Sequence, residues 1–147
     1  MSGYCRIAPG HPLHGPYHDT EYGFPSADET VLFERLCLEI MQAGLSWELV
    51  LKRRDGMRAA FSGFAVDLVA AFGPADEARL LADARIIRNR LKVRAIIENA
   101  RRVRALRASH GGFSACGLHC AIRSYRTSIC IDKHRLRKSG NWDKETI

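Results

Sequence analysis

Glu39 is an acidic residue whose spacing places it at the edge of an apolar helical stripe. At about 100° per residue it lies roughly 20° from Leu32, on the shoulder of the apolar face. A carboxylate in that position is partly removed from water, which is costly unless a cation or a hydrogen-bond donor faces it. The spacing alone favours an ordinary boundary glutamate paired with Arg35 one turn earlier. The alternative is a carboxylate that holds a ligand.

Three aromatic residues, Tyr17, Tyr22 and Trp47, form a second group with possible binding chemistry. Tyr17 and Tyr22 lie in loop-like sequence, and Trp47 directly follows a helix break. Aromatic faces can sandwich a nucleobase, and they bind a cationic base better than a neutral one through the ring quadrupole. Core packing is the usual role of such residues, and the spacing leaves both interpretations open.

Cys5 and His18 are a third candidate group, because a thiolate and an imidazole commonly bind zinc together. Structural zinc almost always has four ligands, so this pair alone does not define a site. The end of the chain offers further residues of ligand type, although their spacing matches no zinc motif: Cys116, His119, Cys120, Cys130 and His134.

The segments that must position these residues are helical by periodicity, and no segment shows clear strand alternation. Residues 1–25, with their Gly, Pro and His, are predicted to be loop. Ser26 and Glu29 have the spacing of a capping box and predict the start of a helix that runs to about Gly44. Ser46 is predicted to cap a second helix, which Gly63 interrupts.

Two short helices are predicted next, at 66–72 and 75–83, followed by a long one that begins near Asn89 and ends before Gly111. The turn at 84–89 would join the helix at 75–83 to this long helix as a hairpin, and basic side chains line its edge. Free backbone amides at the start of the long helix suit a DNA phosphate, and the alternative is a solvated helix face. The predicted DNA contacts are Arg85, Arg88, Asn89, Arg90 and Lys92.

Length and composition are those of one domain with a real core: 147 residues, 46% of them hydrophobic. The net charge of +7 favours a polyanionic partner. No apolar run approaches the ~20 residues of a membrane helix, and no stretch resembles a signal peptide. We therefore expect no membrane association and a cytoplasmic location. Five irregularly spaced cysteines do not indicate a disulfide scaffold.

Three segments, in this order and at these separations, resemble the DNA-3-methyladenine glycosylase I family: YHDTEYGFP (17–25), LCLEIMQAGLSW (36–47) and DARIIRNRLKVRAIIENA (83–100). The resemblance covers about residues 3–115. It implies an all-α fold of the helix-hairpin-helix DNA glycosylase class, with the N-terminal half of a zinc-binding subdomain. It also implies a monomeric, monofunctional enzyme that flips 3-methyladenine out of alkylated double-stranded DNA and hydrolyses its N-glycosidic bond.

The resemblance also assigns roles to individual residues. Glu39 would hold the damaged base in the active site, while Tyr17 and Trp47 would line and stack the pocket. Tyr22 occupies a position where the family often has tryptophan, and Arg85 one where it often has glycine. The interpretation of Glu39 as a boundary residue is thereby reversed in favour of a functional one.

The resemblance implies structural zinc as the cofactor. Cys5 and His18 match the first half of the family's zinc site, whereas the second pair of ligands is not identifiable in this sequence.

The hairpin carries no acid or amine of the kind that other hairpin glycosylases use. No aspartate occurs between Asp83 and Asp132, and Lys92 is interpreted as part of the solvated basic face. A base alkylated at N3 already carries positive charge and leaves as a neutral molecule, so a strong general acid is not required. This chemistry agrees with the implied substrate.

The final segment departs from the family pattern. Residues 1–115 are therefore assigned to the glycosylase-like domain and 116–147 to an atypical tail, either disordered or out of frame. Two other functions stay open: a truncated, inactive DNA-binding module, and a small zinc-dependent interaction protein.

Overall fold

The computed structural model describes residues 3–113, and the segment 116–147 with its candidate ligands lies outside the described residues. Within that range the regular structure is helical and contains no strand, which confirms the all-α prediction. None of these helices combines the length and apolar character that crossing a membrane requires. In chain order the helices are α1 (Gly3–Ile7), α2 (His14–Thr20), α3 (Glu29–Gln42), α4 (Trp47–Ala60), α5 (Val66–Ala70), α6 (Pro74–Ala82) and α7 (Arg90–His110).

The prediction that residues 1–25 form a loop is wrong, because α1 and α2 lie within them. The first turn of α2 is held by a side chain that ordinary capping rules do not anticipate. The Nδ1 atom of His11 accepts hydrogen bonds from the backbone amides of Leu13 and His14, both at 3.2 Å. This imidazole satisfies amides that would otherwise lack a partner at the helix start.

Helix starts elsewhere follow the sequence closely, with one correction. Ser46 caps α4 by accepting from Leu49 N at 3.2 Å, as predicted. The predicted capping box of Ser26 and Glu29 is wrong: Asp28 is the N-cap of α3, and its Oδ1 accepts from Val31 N at 3.0 Å. Ser26 instead accepts from the amide of Asp28 and shapes the turn before the helix.

The long helix α7 is the central element of the core. Asn89 caps its start by accepting from Lys92 N at 3.0 Å, and Gly111 ends it in the left-handed region, with φ of 73°; both agree with the prediction. The helix packs mainly against α5 and also against α3 and α6. Its buried apolar face consists of Val93, Ile96, Ile97, Ala100 and Val103.

The turn between α6 and α7 rests directly on α4. A Cβ atom at Gly56 would lie 2.5 Å from the carbonyl oxygen of Arg85, so only glycine allows this approach. Arg53 strengthens the contact by donating to the carbonyl of Ala84. Within residues 3–113 the non-glycine residues with positive φ are Ser62 and Phe64, so Arg85 fits its turn without a left-handed backbone.

Lys92 does not lie on a solvated face, and that interpretation is wrong. Its side chain is buried, with 1% of the residue exposed. Its Nζ donates to the carbonyls of Met41 at 2.6 Å and Ala43 at 2.9 Å, which are carbonyls at the C-terminal end of α3. A cation at a helix C-terminus interacts favourably with the helix dipole and satisfies terminal carbonyls. Lys92 therefore joins α7 to α3 and is not available to a phosphate.

A buried charge network fixes the segment after α2 against α3 and α4. Arg54 donates to both carboxylate oxygens of Glu21, at 2.7 and 2.6 Å, and its Nε donates to Glu34 at 2.7 Å. Arg58 donates to the same Glu34 from the next turn of α4. The Arg54 and Glu34 side chains are only 12% and 9% exposed. Hydrogen bonding from Arg54 lowers the pKa of Glu21 below its ordinary value.

Substitution of Arg54 by glutamine is expected to destabilise the fold strongly. It leaves the carboxylate of Glu34 buried with a weaker set of donors, and loss of one partner of a buried ion pair costs about 3 kcal/mol or more. Urea unfolding of the two proteins measures the difference. The control is Lys52→Gln on the same helix, which removes an exposed pair with Glu48 and should change stability little. Equal losses in both variants would contradict this account.

Lys92→Met is expected to change how stability depends on pH. Burial lowers the pKa of Lys92 from 10.5 to about 8, so between these values the unfolded chain binds more protons than the folded one. The stability of the parent relative to the variant should therefore be constant below about pH 8, rise by up to about 3 kcal/mol towards pH 10.5, and then level off.

Comparison with the variant at each pH isolates Lys92 from the other groups that titrate there. Burial raises the pKa of Cys37 and of Tyr17, and their titration changes stability in the opposite direction in both proteins. A parent-minus-variant difference that does not change between pH 8 and 10.5 would refute the lowered pKa of Lys92.

Candidate active site

Helices α2 and α4 bring two of the predicted aromatic residues together. Tyr17 is buried on α2, and its ring meets that of Trp47, the first residue of α4, with 5.3 Å between centroids and 61° between planes. The guanidinium of Arg54 lies over the same tyrosine ring, 5.6 Å from its centroid. Tyr17 is thus held between a charged partner inside the fold and the indole that borders the site.

Tyr22 forms the outer part of this cluster, with 46% of the residue exposed. Its ring stacks on His18 at 5.9 Å and lies 6.4 Å from that of Tyr17. A fourth aromatic residue, Tyr4 of α1, meets Tyr22 edge to face at 5.3 Å. The structure therefore places all three predicted aromatic residues in one cluster.

Tyr4 and His14 belong to the same cluster and were missed in the sequence. His14 is buried, and its ring lies 5.6 Å from that of Tyr4. His14, Tyr17 and His18 follow each other at the i, i+3 and i+4 spacing of a helix face. That pattern was a usable signal, but it was hidden by the loop-like composition of residues 1–25.

Glu39 lies on α3 and is exposed, rather than partly removed from water as its position on the helical wheel predicts. The reason is that Leu32 and Leu36 are themselves only partly buried, so the apolar face is centred further from Glu39. The carboxylate still acts on the cluster. Burial, followed by the negative charges of Glu39 and Glu21, raises the pKa of Tyr17 to about 12.

The side chain of Arg35, the residue expected to pair with Glu39, contacts the backbone before α3. Its Nη1 donates to the carbonyl of Phe24 at 2.6 Å, which holds the exposed segment before α3.

Cys5 lies on α1 and His18 on α2, and the fold brings their side chains close enough to interact. His18 Nδ1 also lies 2.8 Å from Asp19 Oδ1. Hydrogen bonding with Asp19, and then with Cys5, raises the pKa of His18. Among residues 3–113 no group of three or more His, Cys, Asp or Glu side chains is placed to hold a metal ion.

The five predicted DNA contacts are not equivalent in the structure. Arg88 is exposed on the turn, and Arg90 is exposed with a loose 3.6 Å contact to Glu77. Arg85 forms a tight ion pair with Asp83, which lowers the pKa of that carboxyl to about 2. Asn89 caps α7, and Lys92 is buried, as described above. Arg88 and Arg90 are therefore the cations of this set best placed to meet a phosphate.

Comparison with known proteins places the chain in a family. A sequence model of the methyladenine glycosylase family matches residues 7–134, which extends past Ala115, where the resemblance seen in the sequence motifs ends. DNA-3-methyladenine glycosylase 1 of Escherichia coli is 53% identical over 97 residues, or 66% of this chain and 52% of the relative. The Haemophilus influenzae DNA-3-methyladenine glycosylase is 41% identical over 78% of this chain and 62% of the relative.

A solved structure of 3-methyladenine DNA glycosylase I from Staphylococcus aureus, described for its recognition of 3-methyladenine, superposes with a TM-score of 0.71. It is 33% identical, and the match covers 76% of this chain and 59% of that one. The chain thus spans about half to three fifths of the length of these relatives. Because the family match covers most of its residues, the chain belongs to the methyladenine glycosylase family.

Proposed function

We propose that this chain hydrolyses the N-glycosidic bond of 3-methyladenine in alkylated double-stranded DNA. The observation that carries the proposal is the meeting of Tyr17 and Trp47 beside the negative charge of Glu39. Aromatic faces and a carboxylate together suit a flat cationic ligand. The names of the E. coli and H. influenzae relatives agree with that ligand.

Recognition in this proposal depends on charge more than on shape. The base would be flipped out of the duplex, because its glycosidic bond is otherwise inaccessible inside the stack. The indole of Trp47 stacks on it, and the carboxylate of Glu39 faces its positive ring. Normal adenine is neutral and gains little from either interaction, so it is bound weakly.

The chemistry needs little acid catalysis. When the bond between C1′ and the ring nitrogen breaks, its electron pair moves into the cationic ring, and 3-methyladenine leaves neutral. Water supplies the oxygen that bonds to C1′ and releases one proton. The negative charge of Glu39 stabilises the positive charge that develops on the sugar.

The absence of lyase chemistry is part of the proposal. An amine nucleophile must be neutral and must reach C1′. Lys92, the lysine of the α6–α7 hairpin, donates to carbonyls of α3 inside the fold. This supports hydrolysis by water without a covalent enzyme–sugar intermediate.

The hairpin of α6 and α7 is proposed to act as a helix-hairpin-helix element that holds the DNA backbone. The amides at the start of α7 and the exposed side chains of Arg88 and Arg90 would bind phosphates beside the flipped nucleotide. Lys92 ties this helix to the end of α3, the helix that carries Glu39.

Zinc is proposed as a structural cofactor, with Cys5 and His18 as two of its ligands. The contact of His18 Nδ1 with the carboxylate of Asp19 fits this role, because a metal-bound histidine usually donates its other ring N–H to such a group. When bound, the metal would cross-link the N-terminal helices to a later part of the chain.

Base release from methylated duplex DNA tests the proposed activity. The purified chain should release 3-methyladenine, and Glu39→Gln should lower the rate by about a hundredfold or more, because it removes the charge that faces the cation. Glu98→Gln on α7 is the matched control and removes only a surface pair with Arg102. Its rate should equal that of the parent.

Two results would count against the enzyme. Salt-sensitive DNA binding without base release by a folded parent would favour a non-catalytic DNA-binding module. Equal rates in the parent and Glu39→Gln would remove Glu39 from the active site.

Arg88→Gln is expected to weaken DNA binding equally for all sequences. Loss of one phosphate contact should reduce the slope of log affinity against log salt concentration by about 1. Fluorescence anisotropy with a labelled duplex at several salt concentrations gives the slope. Arg104→Gln, exposed on α7 away from the turn between α6 and α7, is the control with the same charge change. Identical slopes for the two variants would exclude a specific role for Arg88.

A further inference from the structure

The start of helix α2 is held by one residue, His11. The backbone amides of Leu13 and His14 donate to its Nδ1 atom, both at 3.2 Å. The amide of Gly15 donates to its carbonyl oxygen at 2.7 Å. The next residue, Pro16, has no amide hydrogen. The three amides that open the helix are therefore all bonded to His11, whereas Leu13, directly before the helix, provides no side-chain acceptor.

This arrangement requires a neutral imidazole. A ring nitrogen that accepts hydrogen bonds carries no proton, so the single ring proton of His11 is on Nε2. Protonation adds a hydrogen to Nδ1, which then faces the amide hydrogens of Leu13 and His14 as a donor. The positive charge also lies at the start of a helix, where the backbone amides carry partial positive charge. Protonated His11 therefore cannot hold these two amides.

The titratable groups around His11 come from α1, α2 and α4. The ring of His14 lies 4.7 Å from that of His11, and the hydroxyl of Tyr4 lies 3.3 Å from His14 Nδ1. On α4, the pKa of Glu48 is lowered first by its hydrogen bond with Lys52 and further by the two imidazoles. The negative charge of Glu48 favours protonation of His11, whereas a proton on His14 opposes it.

Helix α2 links His11 to the aromatic cluster. Tyr17 lies one turn after His14, and its ring meets that of Trp47 with 5.3 Å between centroids. The helix has seven residues, including Gly15 and Pro16, and such a short helix with poor propensity has little stability of its own. When the amides at its start lose their acceptor, the first turn can open and shift Tyr17 relative to Trp47.

We propose that His11 is a positioning residue of the aromatic cluster: its neutral imidazole orders α2, and protonation of the imidazole releases the helix start. The inference rests on the proposed function, because that function assigns Tyr17 to the base pocket. His11 does not touch the base in this account and acts only through α2. Affinity for the flipped base falls on protonation, because Tyr17 must then be ordered as the base binds.

His11→Asn in the full chain is the central variant. Asparagine Oδ1 has the same place in the side chain as histidine Nδ1, accepts from amides at helix starts and does not titrate. At about pH 8, where imidazoles are neutral, its kcat/KM for release of 3-methyladenine should equal that of the parent. Towards about pH 5 the parent should fall relative to this variant. A three- to tenfold fall, roughly, corresponds to the loss of a helix cap.

The ratio of parent to His11→Asn at each pH isolates His11, because the other titrating groups are present in both proteins. His110→Asn replaces an exposed imidazole at the end of α7 and is the matched control, which should keep the pH profile of the parent. His11→Ala removes the acceptor at every pH and should already be slow at about pH 8. A constant ratio from pH 8 to 5, or a His11→Asn variant as slow as His11→Ala, would overturn the proposal.

The backbone amide signal of Leu13 provides a readout that does not depend on activity. In ¹H–¹⁵N spectra of the parent this signal should shift together with the ring signals of His11 as the pH falls. In His11→Asn it should stay constant, because the amide keeps its acceptor.

The outcomes separate the two proposals. If the parent releases no 3-methyladenine at any pH, the proposed function fails, and the Leu13 signal alone decides whether neutral His11 holds α2. If the parent is active but the Leu13 signal does not follow the His11 ring, the positioning role is refuted.

Discussion

The ion-pair network around Arg54 is the constraint on which the site depends. It connects the segment after α2, through Glu21, to Glu34 on α3 and to α4 itself. With Arg58 included, two carboxylates face two guanidinium groups, so the network adds no net charge to the interior. A buried ion pair of this kind gains little stability over apolar packing, but removal of one partner leaves a buried charge without compensation. The same Arg54 contacts the ring of Tyr17, which in turn meets Trp47.

The charge balance of the ion-pair network around Arg54 also matters for the proposed cationic ligand. Arg54 lies over the ring of Tyr17, and an unpaired cation there would repel a positively charged base. Its hydrogen bonds to Glu21 and Glu34 pair that charge with two carboxylates. The cluster can thus be stabilised by a guanidinium and still accept a cation, as the proposed function requires.

Features of the fold that depend on neighbouring residues could be predicted from the sequence, and features that depend on distant residues could not. The cap at Ser46, the start of α7 near Asn89 and its end before Gly111 depend on neighbouring residues, and these predictions are confirmed. Lys92 looked solvated because its neighbours are basic. Its acceptors, the carbonyls of Met41 and Ala43, come from a helix about fifty residues earlier, and no local pattern reports them.

The N-terminal helices also depend on contacts that the local sequence does not report. Helix α2 contains Gly15 and Pro16 and has poor helix propensity, yet it forms because its aromatic face packs on Trp47 and Tyr4. The resemblance to a family supplied Tyr17, Tyr22 and Trp47 as site residues where spacing alone could not. It could not supply Tyr4 or His14, whose contacts depend on the packing of this chain.

Tyr17 also contributes to the electrostatics of the aromatic cluster. A tyrosine hydroxyl is already protonated at physiological pH, and burial raises the pKa of Tyr17 further, so the ring stays neutral beside Glu39. A tyrosinate there would add a second negative charge and would lose a hydrogen-bond donor. The aromatic cluster is therefore neutral, and the negative charge beside it is that of Glu39. In the proposed function this combination favours a base that carries a positive charge only until its bond to the sugar breaks. Release of the neutral product is then favoured, because the attraction that held the substrate disappears with the reaction.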